Sequence, residues 1–370
     1  MPITVAQVLP ALESGGVERG TLEVAAELVK RGHRSIVISA GGRLVDDLTG
    51  AGSEHVRIAI GRKSPTSFRH VYTLRRILLA EKIDILHARS RLPAWISCLA
   101  RATLSPADRP RFITTVHGPY RPNYYSSIMT RGECVIAVSE YIRNYINENY
   151  PGVEDEKIIT IPRGVSDTEF YPGFRPAESW LAEWKARNPQ LQGKYIICMP
   201  GRISRRKGHE DFITIMKELI TRGKPVHGLV PGSPHKYRRH FYAELLSRVR
   251  QLELDEHITF LGHRKDIREI FSVCDLVLSL SKLPEAFGRT VLEALSLGKP
   301  VIAYDMGGVS EIMQELFNDG LTECGSPDLV VNKICRYQER PPVVSRNRDY
   351  LLSRMLEQEL ALYEKLAVRH

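Results

Sequence analysis

Residues 275–305 read DLVLSLSKLPEAFGRTVLEALSLGKPVIAYD, and the order of apolar runs in them decides the fold class. Residues 276–280 form an apolar run of the length of one buried strand. From Gly288 the apolar residues Val291, Leu292 and Leu295 recur at helical spacing, which predicts a helix over about 288–297. PVIAYD then supplies a second β-branched strand. Strand, helix and strand in this order make the crossover unit of a parallel sheet.

The same rhythm extends in both directions. Upstream in this half lie the strand YIICMPGR, a helix near residues 209–222, the strand VHGLVPG, a helix near 238–252 and the strand HITFLG. The first half alternates ITVAQVL, a helical stretch over 17–31, SIVISA, a helical stretch over 71–81, IDILHA, RFITTVHG, ECVIAVS, a helix over 140–149 and KIITIPRG. Between the halves runs a stretch with Pro172, Gly173, Pro176 and Pro189, read as irregular chain at a domain boundary. With 370 residues the chain exceeds one ordinary core, so two domains are expected. The reading is α/β, with two Rossmann-like doubly wound domains facing a central cleft. They comprise residues 1–170 and 171–349, and a helix over 350–370 returns to the first. Ligands of such sheets bind beyond the carboxyl ends of the strands.

With 43% hydrophobic and 26% charged residues the chain is globular, neither disordered nor fibrous. The six cysteines show no C-x-x-C pair and most lie among apolar neighbours, the pattern of buried reduced thiols. MPITVAQVLPALESGG lacks a secretory n-region and h-region, and no run approaches a spanning length, so the expected location is cytoplasmic. A formal charge of +9 suits an anionic partner: nucleic acid, a nucleotide or an acidic membrane.

Chemistry concentrates in PEAFGRTVLEALSLGKPVIAYDMGGVSEI, where Glu285 and Glu293 bracket seven residues. A helix starting near Gly288 points its first amides toward the preceding loop, a place for a phosphate or a sugar hydroxyl. Carboxylates accept hydrogen bonds from paired hydroxyls, one from a donor sugar and one from a ribose. PGRISRRKG puts Arg202 and Lys207 on a loop between strand and helix, the charge a diphosphate leaving group requires. Arg205 and Arg206 read as solvated. ESGGVERG allows close backbone approach to a phosphate, yet it is neither a Walker A loop nor a G-x-G-x-x-G turn.

Together these segments resemble the retaining GT-B glycosyltransferases of family 4, which include bacterial lipopolysaccharide-core, mannosyl and N-acetylglucosaminyl transferases. The resemblance rests on GGVER, TTVHG, AVSEYIRN, IPRGVSDTEFYP, GRISRRKG, FLGHRKDI, the Glu-x7-Glu segment and MGGVSEI, in order, over nearly the whole chain. It implies that Arg202 and Lys207 grip the donor diphosphate, Glu285 binds donor-sugar hydroxyls and Glu293 the ribose. It further implies that Gly16 brings an amide to the phosphates, that Phe287, Gly288, Arg289 and Thr290 supply the turn at sugar and phosphate, and that the loop at His263 and Arg264 reads the base. His117 falls beside the donor sugar. The implied activity is metal-independent transfer of a sugar from a nucleotide diphosphate, with UDP ahead of GDP, to a glycan or lipid-linked glycan, with no cofactor. The implied setting is lipopolysaccharide core or other cell-envelope synthesis.

Three positions depart from the pattern. Arg163 and Ser166 replace the asparagine and aspartate of the usual IPNGVD, and Arg289 replaces an uncharged residue, as either a phosphate contact or a surface charge. The rival readings are another GT-B enzyme, such as an epimerase or phosphorylase, and a basic nucleic-acid-binding protein. No zinc spacing, RNP-like aromatic run or helix-turn-helix cue supports the latter. Arg57, Arg62, Lys63, Arg69, Arg75 and Arg76 form a basic segment expected to touch the anionic inner leaflet.

Overall fold

The computed structural model describes residues 2–13, 15–62, 64–234 and 239–368. Lys63, from the basic segment, lies outside the described residues. The chain packs as two units, residues 1–163 with 352–370, and residues 164–351.

Unit 1 contains seven parallel strands: β1 Thr4–Val8, β2 Arg34–Ser39, β3 Glu54–Arg57, β4 Ile85–Ala88, β5 Arg111–Val116, β6 Cys134–Ala137 and β7 Ile158–Thr160. Their order in the sheet is β3-β2-β1-β4-β5-β6-β7, so the winding reverses between β1 and β4. β4 is buried at every position, His87 included, as expected of a strand covered on both faces. Helix Gly16–Lys30 covers one face.

The last helix, Leu352–Ala367, belongs to this unit. Met355, Leu356, Leu360 and Tyr363 recur on one side of it and join Val24, Leu28, Ile85, Ile113 and Ile136 in one core. Each fully buried aliphatic side chain there contributes about 1.5–3 kcal/mol.

Unit 2 contains six parallel strands: β8 Tyr195–Cys198, β9 Val226–Pro231, β10 Ile258–Gly262, β11 Leu276–Ser279, β12 Val301–Tyr304 and β13 Leu321–Thr322. Their order is β10-β9-β8-β11-β12-β13, and the reversal lies between β8 and β11. The crossover helix read from 288–297 spans Arg289–Ser296.

Two expectations are corrected. The chain leaves unit 1 after Arg163, earlier than residue 170, because Val165 bridges to Leu351 and its N–H donates to the Tyr350 carbonyl at 3.1 Å. The stretch read as irregular holds a helix, Glu178–Arg187, whose Trp180 and Trp184 rings stack at 5.1 Å. Among the cysteines, Cys134, Cys198 and Cys274 are buried free thiols, but Cys324 is exposed.

Candidate functional site

The reversal of strand order in unit 2 leaves a crevice at the carboxyl ends of β8 and β11, and the two chemically suggestive loops leave the sheet there. After β8 the chain runs through Gly201 and Arg202 to Lys207. After β11 it runs through Ser281 to Glu285. The loops meet directly: Lys207 Nζ donates to Glu285 Oε1 at 2.7 Å, and Ser281 Oγ donates to the same oxygen. The Lys282 N–H also donates to the Arg206 carbonyl at 2.7 Å, tying the two backbones.

Glycine makes both approaches possible. Gly208 has φ +76, and a Cβ there would lie 2.1 Å from the Leu280 carbonyl oxygen, so only glycine lets the loop after Lys207 press against the β11 exit. Gly307, at φ +62, would place a Cβ 2.6 Å from the Glu285 carbonyl oxygen. Its neighbour Gly308 donates its N–H to that oxygen at 2.9 Å. The MGG turn therefore holds the main chain of Glu285 in place.

The Glu285 side chain is about one quarter exposed, as is that of Lys207. Burial pushes the Glu285 carboxyl up, but the Lys207 ammonium, the Ser281 hydroxyl and the charge of Arg206 more than offset it and hold the carboxyl below its ordinary value. Arg202 is exposed, and its side chain has no ion pair or hydrogen bond with the described residues. The site thus presents one uncommitted guanidinium, one ammonium shared with a carboxylate, and that carboxylate.

Helix Arg289–Ser296 begins beside this cluster with Gly288 as its N-cap and no side-chain cap on its first turn. Thr290 lies in that turn, and Phe287 is buried edge-on against Tyr350 at 5.8 Å. Glu293 is only 4% exposed, and Arg289 Nε donates to its Oε1 at 3.2 Å. Arg289 is therefore neither a bare surface charge nor an unengaged phosphate ligand: at i and i+4 on one helix it reaches the acid assigned to the ribose. Arg264 is also committed, with Nε and Nη2 both donating to the Asp266 carboxylate and the guanidinium 5.8 Å from the Trp184 ring centre. Arg205, read as solvated, bridges Glu210 and Glu244 over the Phe241 ring.

Gly16 and His117 belong to unit 1. Gly16 opens helix Gly16–Lys30 after the β1 loop, and Gly15 gives that helix no side-chain cap. His117 follows β5. Its Nε2 is buried without a partner, and burial together with the charges of Arg163 and Arg89 holds its ring neutral. Ser281 was not singled out in the sequence; its signal was a hydroxyl immediately beyond an apolar strand and four residues before Glu285.

Two parallel-sheet units, the second with a cationic loop and a carboxylate at its switch point, define a glycosyltransferase of the GT-B class. Comparisons with known proteins agree. Residues 14–169 match the family model Glycosyltransferase Family 4, and residues 182–350 match Glycosyl transferases group 1. A glycosyltransferase from Rickettsia africae is 30% identical over the whole of both chains, with a TM-score of 0.86. HepE of Anabaena, solved with UDP and glucose, is 18% identical with a TM-score of 0.83, covering 98% of this chain and 100% of HepE. N-acetyl-alpha-D-glucosaminyl L-malate synthase of Bacillus anthracis is 24% identical over 85% of this chain and 82% of that enzyme. The lipopolysaccharide core biosynthesis mannosyltransferase LpsB of Rhizobium meliloti is 27% identical over 62% of this chain and 61% of LpsB. The chain belongs to the GT-B glycosyltransferases built from a family 4 and a group 1 domain.

Proposed function

We propose that the protein transfers a sugar from a UDP-sugar to an acceptor hydroxyl with retention of the anomeric configuration, in the synthesis of lipopolysaccharide core or another cell-envelope glycan. The observation that carries this reading is the meeting of Lys207 and Glu285 at the switch point of unit 2, on the loop that also carries the exposed Arg202. Arg202 and Lys207 neutralise the departing diphosphate, supplying from fixed side chains the charge that a cation otherwise brings. Glu285 accepts hydrogen bonds from the donor sugar's hydroxyls and Glu293 from the ribose. The first-turn amides around Phe287, Gly288, Arg289 and Thr290 meet sugar and phosphate, and the 263–264 backbone meets the base.

In the reaction the acceptor oxygen bonds to the anomeric carbon on the face the diphosphate leaves. The bond from carbon to phosphate oxygen breaks, and the acceptor's proton passes to that oxygen. No protein nucleophile is assigned. UDP is favoured because HepE, of the same fold, was solved with UDP and with UDP-glucose. The envelope setting is supported by relatives named for lipopolysaccharide synthesis, LpsB and a 1,2-N-acetylglucosaminetransferase of Salmonella typhimurium.

The protein is proposed to work in the cytoplasm, bound peripherally to anionic membrane. Among the described residues no helix is long and apolar enough to cross a membrane. Unit 1 displays Phe68 at 54% and Tyr72 at 66% exposure among Arg62, Arg69 and Arg76, a mixture of rings and cations suited to a headgroup layer. The test of the activity is a panel of UDP-, GDP- and ADP-sugars read by thermal shift and by donor hydrolysis. UDP-sugars are expected to stabilise the protein and turn over; a protein that none of them stabilises is not this enzyme.

A further inference from the structure

The carboxyl edge of the unit 1 sheet buries two guanidiniums against one carboxylate. Arg89, directly after β4, is 1% exposed; Arg163, beyond β7, is 6% exposed; Glu359 of the last helix is fully buried. Glu359 Oε1 accepts from Arg89 Nη2, and from the Tyr363 hydroxyl at 2.7 Å. Its Oε2 accepts from Arg163 Nη1 at 3.3 Å. Arg89 Nε donates to Gln7 Oε1 at 2.7 Å.

The neighbouring imidazoles do not alter this balance of two positive charges to one negative. The Tyr363 hydroxyl spends its proton on Glu359, so it accepts from His87 Nδ1 at 2.6 Å, and His87 Nε2 then accepts from the Thr115 hydroxyl at 2.6 Å. His87 is thereby a neutral, fully engaged ring, and burial, then Arg89, hold it so. His117 is neutral for the same causes.

Four nitrogens of this cluster are buried without a hydrogen-bond partner: Arg89 Nη1, Arg163 Nε, Arg163 Nη2 and His117 Nε2. The Nε and Nη2 protons of a guanidinium lie side by side on one edge, the edge that receives two oxygens of a carboxylate or phosphate. In Arg89 that edge is filled by Gln7 and Glu359; in Arg163 it is empty. A buried charge in surplus is costly unless a counter-charge reaches it. The segment at His117 and Gly118 is partly exposed, so the surplus lies near a surface where ligands of parallel sheets arrive.

We infer that Arg163, backed by Arg89 and flanked by His117, is an anion-recognition site for a carboxylate or phosphate monoester carried by one of the enzyme's substrates. This rests on the glycosyltransferase reading and deepens it by giving one substrate an acidic group. Glu359 keeps Arg89 and Tyr363 when Arg163 is removed, so the cluster without Arg163 is electrically balanced. A residue present only to pair Glu359 behaves in the opposite way.

The experiment follows melting of the full chain, of Arg163→Gln and of an Arg202→Ala/Lys207→Ala double variant. Each is titrated with inorganic phosphate, glucuronate, glucose or UDP. Phosphate and glucuronate, but not glucose, are expected to stabilise both the unaltered protein and the double variant. Arg163→Gln is expected to need roughly 10- to 100-fold more of either anion, the loss of a charge-assisted pair of hydrogen bonds. Without added anion it is expected to melt no lower than the unaltered protein. Should Arg163→Gln not fold, Arg163→Lys, which keeps the charge and loses the planar edge, must show the weakened anion response.

The UDP shift, lost in the double variant and kept in Arg163→Gln, reports the nucleotide reading separately. UDP-glucuronate and UDP-glucose then identify the source. Selective loss of UDP-glucuronate binding in Arg163→Gln places the acid on the donor sugar, and unchanged donor binding with a lost phosphate response places it on the acceptor. Equal anion responses in the unaltered protein and Arg163→Gln, or none in either the unaltered protein or the double variant, would overturn the inference and leave Arg163 a strut to the last helix.

Discussion

Arg202→Ala and Lys207→Ala separate catalysis from stability, because the two cations differ in what they touch. Both are proposed to face the departing diphosphate, and deleting one such charge costs roughly 2–4 kcal/mol of transition-state stabilisation, about 30- to 1,000-fold in rate. Arg202 is exposed and unpaired among the described residues, so its removal is expected to leave folding stability within about 0.5 kcal/mol. Lys207 donates to Glu285 at 2.7 Å with both side chains about three-quarters covered. Its loss is expected to cost about 1–2 kcal/mol of stability, between exposed pairs of 0.2–1 and broken buried pairs of 3–5.

The pH dependence has a defined sign. Glu285 sits below its ordinary value of 4.5 in the folded protein, so its contribution is complete above 4.5 and fades as the pH falls through the folded value. Without Lys207 the largest offsets to burial are gone, and Lys207→Ala is expected to lose less stability than the unaltered protein as the pH falls below 4.5. Steady-state release of UDP from the donor and urea melts at several pH values measure both quantities. If both variants keep kcat/KM within about threefold of the unaltered enzyme, the assigned roles are wrong.

Glu293→Gln is expected to weaken binding of free UDP, whereas Glu285→Gln weakens UDP-sugar binding and spares free UDP; calorimetric titration tells them apart, and equal losses reject the division. Incubation with EDTA is expected to leave turnover unchanged, and a loss restored by manganese or magnesium would show that Arg202 and Lys207 do not suffice. Glu359 is held at about 2 by Arg89 and Arg163, with the Tyr363 hydroxyl, despite its burial, so its stabilisation is complete above 4.5 and is lost between 4.5 and about 2. Glu359→Gln is expected to cost about 3–5 kcal/mol at neutral pH and to flatten the melting profile across that acid window. Co-sedimentation with anionic vesicles is expected to fall with salt and with Phe68→Ala, Tyr72→Ala and glutamine at Arg62 and Arg76; salt-insensitive binding would assign the patch to solvent.

Strand content and the two loops that bring Lys207 to Glu285 were legible because each rested on local pattern. Helix Glu140–Asn149 has the bounds that its periodicity predicts, and the crossover helix differs by one residue at each end. Helix Glu178–Arg187 was not legible, since it lies between Pro176 and Pro189 and buries only Trp184, leaving no apolar stripe to read. The cluster around Arg163 was legible in part. Its departure from IPNGVD marked the position, but the acid that meets it stands 196 residues later, on a helix whose glutamates ordinarily face water. Burial of Glu359 is set by packing against β4 and the segment after β7, which no local window contains. The commitments of Arg289 to Glu293, four residues on, and of Arg264 to Asp266, two residues on, lay within a local window and were not read from it.

The helix Leu352–Ala367 completes the core of the unit that the ribosome makes first. Until that helix emerges, a nascent chain carries a parallel sheet with one flank uncovered and with Arg89 and Arg163 lacking their acid. The later-made unit is one continuous stretch of chain, residues 164–351. An unfinished or C-terminally clipped chain therefore carries its defect in unit 1, the unit made first.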